Sequence, residues 1–332
     1  MLKQILMTFA VLLLSAGTVF AQSRPTLPFS YNRRAPGARS LAMGNAGVAV
    51  PNTPEVVVHN PAALGFMNTH GFEITGRVHT MGDTSTQSFG LASPQGDGIR
   101  SLIILSDSAA VSWKKLSNTN VNFASGLDSR HSRVSLNAVT LSVGERNSGS
   151  GFNTGLNIGY IYGNAAVSGI TGGIPHAGLY SAHGFYVDMA MLMPMGPRFF
   201  TGVSLRNIAA FVWWDRFGLD QPPFSVALGT AFVMRDFVMA VDYERFFYRF
   251  GNEHDTFVRA GIEYYLNNFF ALRAGFEAPT NGNEDDIKYT YGIGLRFAGY
   301  DIDFALQQFN AAPRHQARDR VTEIILSVSA RL

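Results

Sequence analysis

Apolar and polar residues alternate with a period of two over most of the chain beyond residue 70. In 288–298 (KYTYGIGLRFA), Tyr289, Tyr291, Ile293, Leu295 and Phe297 fall on one face, with Lys288, Thr290, Gly292, Gly294 and Arg296 on the other. Segment 256–266 sets Val258, Ala260, Ile262, Tyr264 and Leu266 against Arg259, Gly261, Glu263 and Tyr265. Segments 269–277 and 300–309 repeat the pattern, with Arg273, Glu277, Asp301 and Asp303 on the polar face. Strand side chains alternate between two faces, whereas a helix would spread these charges around its whole circumference. The alternation predicts strands.

Counting back from the C-terminus, the pattern places strands near 321–332, 300–309, 288–298, 269–277, 256–266, 236–245, 224–234, 199–209, 183–193, 153–163 and 133–144. Earlier in the chain it places them at 71–80, at 85–92 and, as one longer element interrupted at Ser106-Asp107-Ser108, at 99–116. The connections alternate in length. Residues 164–182, 210–223, 246–255, 278–287 and 310–320 are long; 194–198, 235, 267–268 and 299 are short. Short turns at one end and long loops at the other are the layout of a transmembrane antiparallel β-barrel, and an even count gives about fourteen strands. A secreted β-sandwich also alternates but lacks this ordered loop asymmetry.

Composition agrees. Only 15% of residues are charged, 12% are aromatic and 34 are Gly, yet beyond the N-terminus no run reaches the roughly 18 apolar residues of a membrane helix. Lys3, the apolar run Ile5 to Leu14 and Val19-Phe20-Ala21 have the layout of a secretory signal peptide, expected at 1–21. There is no Cys, so a lipidated Cys, disulfides, thiolate metal sites and a Cys nucleophile are excluded. The formal charge of +2 is close to neutral and argues neither for nor against a nucleic-acid or acidic partner; no nucleic-acid partner is expected. The His residues are scattered, without HExxH or other local metal-ligand spacing, and Gly292-x-Gly294 lies inside a strand, unlike a nucleotide-binding loop. No enzyme chemistry, cofactor or metal is expected.

The stretch from Gly37 to Phe66 breaks the alternation. It is rich in Gly and Ala and closes on Asn60-Pro61-Ala62, so it reads as a compact irregular insert that something must enclose. Its opening, GARSLAMGNAGVA, together with the later Asn60-Pro61-Ala62, resembles the N-terminal hatch of the FadL-type outer-membrane transporters of long-chain fatty acids. It is equally similar to the related PorV-type barrels of a protein secretion system, and 292–306 (GIGLRFAGYDIDFAL) looks like their penultimate hairpin. The resemblance implies a hatch at 22–70 inside a barrel at 71–332, with Asn60, Pro61 and Ala62 at its gate. It implies a bacterial outer-membrane location and passage of hydrophobic compounds such as long-chain fatty acids by diffusion, or, on the PorV side, binding of secretion partners or cargo. Outer-membrane lipid, a hydrophobic small molecule and the barrel-assembly machinery are the partners it implies; the last strand resembles the C-terminal assembly signal, except that Leu332 stands where an aromatic is usual.

Three groups of residues are candidates for function. The connections 164–182 and 210–223 are unusually apolar, with Ile170 and Leu179 in the first and Phe211, Trp213, Trp214 and Phe217 in the second. In the resembled transporters this pair of loops forms the outer groove where substrate lands; the other reading is an aromatic girdle at the lipid interface. The polar faces carry Asp188, Arg206, Asp242, Glu244, Arg259, Glu263, Arg273, Glu277, Arg296, Asp301 and Asp303. They form a salt-bridge lattice clamping the hatch, or else Arg259, Arg273 or Arg296 receives a carboxylate. Last, the break at Ser106, Asp107 and Ser108 falls in the third strand of this count, where in those transporters a kink opens the wall sideways; the other reading is a lumen-facing kink with no exit.

Overall fold

The computed structural model describes residues 37–67, 70–82, 99–125, 128–146, 151–171, 174–215, 218–248, 254–280, 287–310 and 320–331. The expected signal peptide, the hatch residues before 37, the expected strand at 85–92 and Phe217 lie outside these.

The strands are β1 (Gly71–Gly82), β2 (Ile99–Ser106), β3 (Ala109–Ser125), β4 (Asp128–Arg146), β5 (Asn153–Thr171), β6 (Ile174–Pro194), β7 (Phe199–Trp214), β8 (Gly218–Asp220) and β9 (Phe224–Val233). They continue with β10 (Phe237–Phe247), β11 (His254–Tyr265), β12 (Phe270–Pro279), β13 (Lys288–Phe297), β14 (Tyr300–Asn310) and β15 (Arg320–Arg331). Each pairs antiparallel with its neighbour, β1 pairs β15, and β6–β7 pairing closes the ring. Fourteen strands make the wall; the short β8 hangs on the upper end of β7. The fold class and strand number expected from the alternation are those of the structure.

The strand list needs one correction. Residues 99–116 are not one interrupted strand: Ser106 ends β2, Ala109 begins β3, and the two pair with each other across Asp107 and Ser108. Asp107 has φ 47°, a left-handed conformation that Asp tolerates in a tight turn. Ser106, Asp107 and Ser108 are thus an exposed hairpin turn, and a sideways opening by a kink inside one strand does not exist there. The strand expected at 85–92 lies outside the described residues; among those described, β1 pairs directly with β2, Gly76 opposite Ile99.

The connections 164–182 and 210–223 are also largely strand. β5 and β6 run for 19 and 21 residues and stay paired up to Thr171 opposite Ile174. The reason lies in a change of face along β4 and β5. Lower on β4, Val139, Leu141 and Val143 point outward and Thr140 and Ser142 are buried inside; higher, Val134, Leu136 and Ala138 are buried inside while Ser135 and Asn137 face out. On β5, Ile158 and Tyr160 are exposed on the outside, whereas above them Ile161, Ala165 and Val167 turn inward and Asn164, Ala166 and Ser168 face out. Outside, the apolar band ends at this level; inside, an apolar cluster continues past it along the paired strands.

Residues 37–67 lie within the ring. They form two short helices, α1 (Ala38–Ala42) and α2 (Val56–His59), and a 3₁₀ turn at Pro61–Phe66. Asp242 of β10 accepts the backbone N–H groups of Gly47 (2.7 Å) and Val48 (2.9 Å). Thr290 of β13 accepts from Gly44 (3.0 Å) and donates to the Ala42 carbonyl (3.0 Å), and Ser327 of β15 accepts from Ala38 (2.7 Å). From the opposite side, Asn157 of β5 donates to the Val57 carbonyl at 3.1 Å. Groups on all sides of the wall converge on this segment. Its backbone approaches the wall so closely that a Cβ at Gly155 would collide with Pro61–Ala62, and one at Gly261 with Met43.

Candidate functional site

The interior has two unlike walls. At the outer end of β3 to β7, Leu116, Val134, Leu136, Ala138, Ile161, Ala165, Ala182, Ala210, Val212 and Trp214 form one buried apolar cluster, floored by Tyr186. The Tyr186 ring lies against Gly159, where any side chain would clash. Its hydroxyl shares a 2.5 Å hydrogen bond with Thr140, and the Lys114 ammonium sits 5.1 Å over its face. These polar groups meet the cluster at its lower edge.

Along β7 and β10 to β14 the wall is charged, and the charges are matched in two chains. One runs Lys288–Glu277–Arg259–Glu244–Arg206, with contacts of 2.7, 2.7, 2.5 and 2.5 Å. The other runs Arg39–Glu263–Arg273–Asp303, at 2.6, 2.5 and 2.6 Å. Arg39 is bidentate on Glu263, its Nε also donating at 2.8 Å, so this chain ties the N-terminal segment to the wall. Arg206 adds a bond to the His59 carbonyl at 3.1 Å. Such groups are costly to bury singly and persist because each is compensated.

Within the segment, Glu55 accepts from the backbone N–H of Arg39 (3.2 Å) and Ser40 (2.6 Å) and from the Ser40 hydroxyl. Burial pushes its carboxyl above the ordinary range in spite of these bonds. His59 is held down to about 3 by burial and by the Arg206 guanidinium, so its ring is neutral. Asn60 caps the 3₁₀ turn: its side chain accepts from Ala62 N–H (3.0 Å) and donates to the carbonyls of Val48 (2.7 Å) and Met191 (3.1 Å). One amide thus joins two parts of the segment to β6.

The candidate residues separate accordingly. Trp214 faces the lumen and is 4% exposed, while Trp213 faces outward and is 49% exposed. Phe211 is also on the outer face; with Trp213 and Phe185 it forms an aromatic patch, ring centroids 5.4 to 6.1 Å apart. Trp113, whose Nε1 donates to the Tyr162 hydroxyl (3.0 Å), Tyr160 and His183 continue this belt across β3 to β6. Ile170 and Leu179 are exposed near the tip of the β5–β6 hairpin, apart from the inner cluster. Arg259 and Arg273 are each engaged by two carboxylates. Arg296, partly exposed near the β13–β14 turn, is paired with Asp301 at 2.8 Å. Arg259 and Arg273 are thus not placed to greet an incoming carboxylate without first giving up a partner.

The apolar cluster itself was missed by reading the sequence, apart from Trp214. Its signal is the change of face at Val134-Ser135-Leu136-Asn137-Ala138, where alternation continues but the apolar side becomes the inner one. Extending the alternation of β7 past 209 would have put Trp214 inside and Trp213 outside.

No family model matches the chain, and no curated protein matches it in sequence. Among solved structures, the toluene transporter TodX of Pseudomonas putida superposes with a TM-score of 0.63 at 15% identity, covering 91% of this chain and 99% of its own. The toluene transporter TbuX of Ralstonia pickettii gives 0.62 at 14%, covering 89% and 98%. The monoaromatic hydrocarbon channel CymD gives 0.62 at 12%, covering 89% and 96%. These neighbours are hydrocarbon transporters of the FadL family, and the likeness to them is one of fold.

Proposed function

We propose that this barrel carries neutral hydrophobic small molecules across the bacterial outer membrane by diffusion, with residues 22–70 acting as the hatch. The observation that carries this reading is the buried apolar cluster at the outer end of the lumen. A hydrocarbon gains about 25 cal/mol per Å² on leaving water for such a surface, so the cluster can draw it in. The neighbours of like fold include a toluene transporter and a monoaromatic hydrocarbon channel, which supports a small neutral substrate. Engagement of Arg259, Arg273 and Arg296 by carboxylates argues against those arginines as the receptor for a fatty-acid head group. Asn60, Pro61 and Ala62 are suited to act as the gate, because the Asn60 amide holds the segment to itself and to β6.

The test is uptake of labelled toluene by cells lacking other hydrocarbon channels, with and without this chain. Faster uptake with the wild type, and its loss when Leu136→Asp puts a carboxylate into the apolar cluster, is the expected result. Equal uptake with and without the chain, at matched amounts of folded barrel, refutes the reading.

A further inference from the structure

Cations on the inner face of the wall are matched by carboxylates, with one departure. Arg206, Arg259, Arg273, Lys288 and Arg296 each meet at least one carboxylate at 2.5 to 2.8 Å. Lys114 of β3 forms no ion pair among the described residues; its ammonium lies instead over the face of the Tyr186 ring, 5.1 Å from the centroid. Asp188, two residues beyond Tyr186 on β6, has its oxygens turned elsewhere, to the Asn207 N–H (2.8 Å) and the Asn157 amide (3.2 Å).

Register sets this lysine among apolar residues, away from the charged wall. Lys114 stands opposite Ala138 and Ala138 opposite Ile161, both members of the apolar cluster, and Leu116, the next inward residue of β3, is a third. These three are buried, whereas Lys114 keeps part of its surface exposed. The ring beneath the ammonium is fixed in place. Tyr186 pairs across the ladder with Gly159, whose missing side chain leaves the space that the ring fills, and its hydroxyl is tied to Thr140 at 2.5 Å.

From these observations we infer that Lys114 is a specificity residue of the lumen: its ammonium, backed by the Tyr186 ring, selects aromatic over saturated hydrocarbons. This rests on the transport reading above. An ammonium in apolar surroundings is unfavourable unless something replaces the water it loses. Tyr186 replaces that water on one side, because the negative face of an aromatic ring attracts a cation. An aromatic molecule entering the cluster displaces water from the other side and offers a second such face. A saturated ring displaces the same water and offers none, so the charge acts chiefly as a penalty on the wrong molecule.

The test compares uptake of labelled toluene and labelled methylcyclohexane, which share a carbon skeleton, by cells lacking other hydrocarbon channels. Uptake by cells without the chain is subtracted, and folded barrel is matched by heat-modifiable migration. Wild type is expected to favour toluene about fivefold. Lys114→Met, which keeps the length and apolar stem of the side chain and removes the charge, is expected to bring that ratio close to one, mainly by admitting methylcyclohexane faster. Lys114→Gln, also uncharged, is read beside it so that the result does not hang on one variant. Lys114→Arg keeps a cation able to lie over the ring and is expected to retain the preference. A wild-type ratio near one, or an unchanged ratio in both uncharged variants, overturns the assignment. Loss of the preference in Lys114→Arg as complete as in Lys114→Met overturns the role of the charge. If wild-type chain takes up neither compound above empty cells, the transport reading itself falls; uptake of both without preference leaves that reading standing and removes only the selection by Lys114.

Discussion

Along β4 to β7 the outer end of the lumen is filled by apolar side chains, whereas along β10 to β14 the wall is filled by charges. Both walls are largely buried, yet they respond differently to an intruder. Apolar contact is non-directional, so a hydrocarbon among these side chains breaks no hydrogen bond or ion pair. The Lys288-to-Arg206 and Arg39-to-Asp303 chains are directional; separating an end pair such as Arg273–Asp303 strips a buried charge of its ion-pair partner. The first wall can admit molecules, and the second can anchor the N-terminal segment while they pass.

The comparison can be broken most forcefully on the charged side. Glu244→Gln leaves Arg206 and Arg259 facing a neutral amide and is expected to cost about 3 to 5 kcal/mol, read by denaturant unfolding of the barrel in detergent. A loss under about 1 kcal/mol would mean that the lattice does not anchor the wall. On the apolar side, Trp214→Ala is expected to cost about 3 kcal/mol and to change toluene uptake, because it opens a cavity in the inner cluster.

A third experiment uses pH. The His59 ring stays neutral in the folded chain down to about 3, while in the unfolded chain it takes a proton below about 6.5. Stability is therefore full above that value and falls as pH drops from 6.5 toward 3, because the unfolded state binds the extra proton. Thermal midpoints at several pH values should fall more steeply for wild type than for His59→Gln; parallel curves would show that His59 is not the group responsible. The smallest effect is expected for Trp213→Ala, about 1 kcal/mol or less, since Trp213 stands in the outer belt. A loss matching that of Trp214→Ala would dissolve the distinction between the two faces.

Much of the wall was legible beforehand. β9 to β15 fall within a few residues of the expected ranges, and the inward positions of Arg259, Glu263, Arg273 and Asp303 follow from alternation alone. The upper parts of β5 and β6 were not, because Asn164, Ser168 and Ser181 look like loop residues when the lipid is assumed to be the only apolar surroundings. At Ser106-Asp107-Ser108 a strand break and a tight turn have the same composition, and only pairing of β2 with β3 separates them. Trp213 and Trp214 stood between groove and girdle, and the structure sets them on opposite faces of the wall.

What residue order determined by itself is the alternation: strand geometry repeats every two residues, so the faces, the strands of the C-terminal half and the even ring follow locally. What only the tertiary structure decided is which groups meet across the lumen. Glu263 lies 224 residues from Arg39, and Asp242 lies 195 from Gly47. Such partners are chosen by register around the closed ring and by the segment threaded through it, and no local period carries that information.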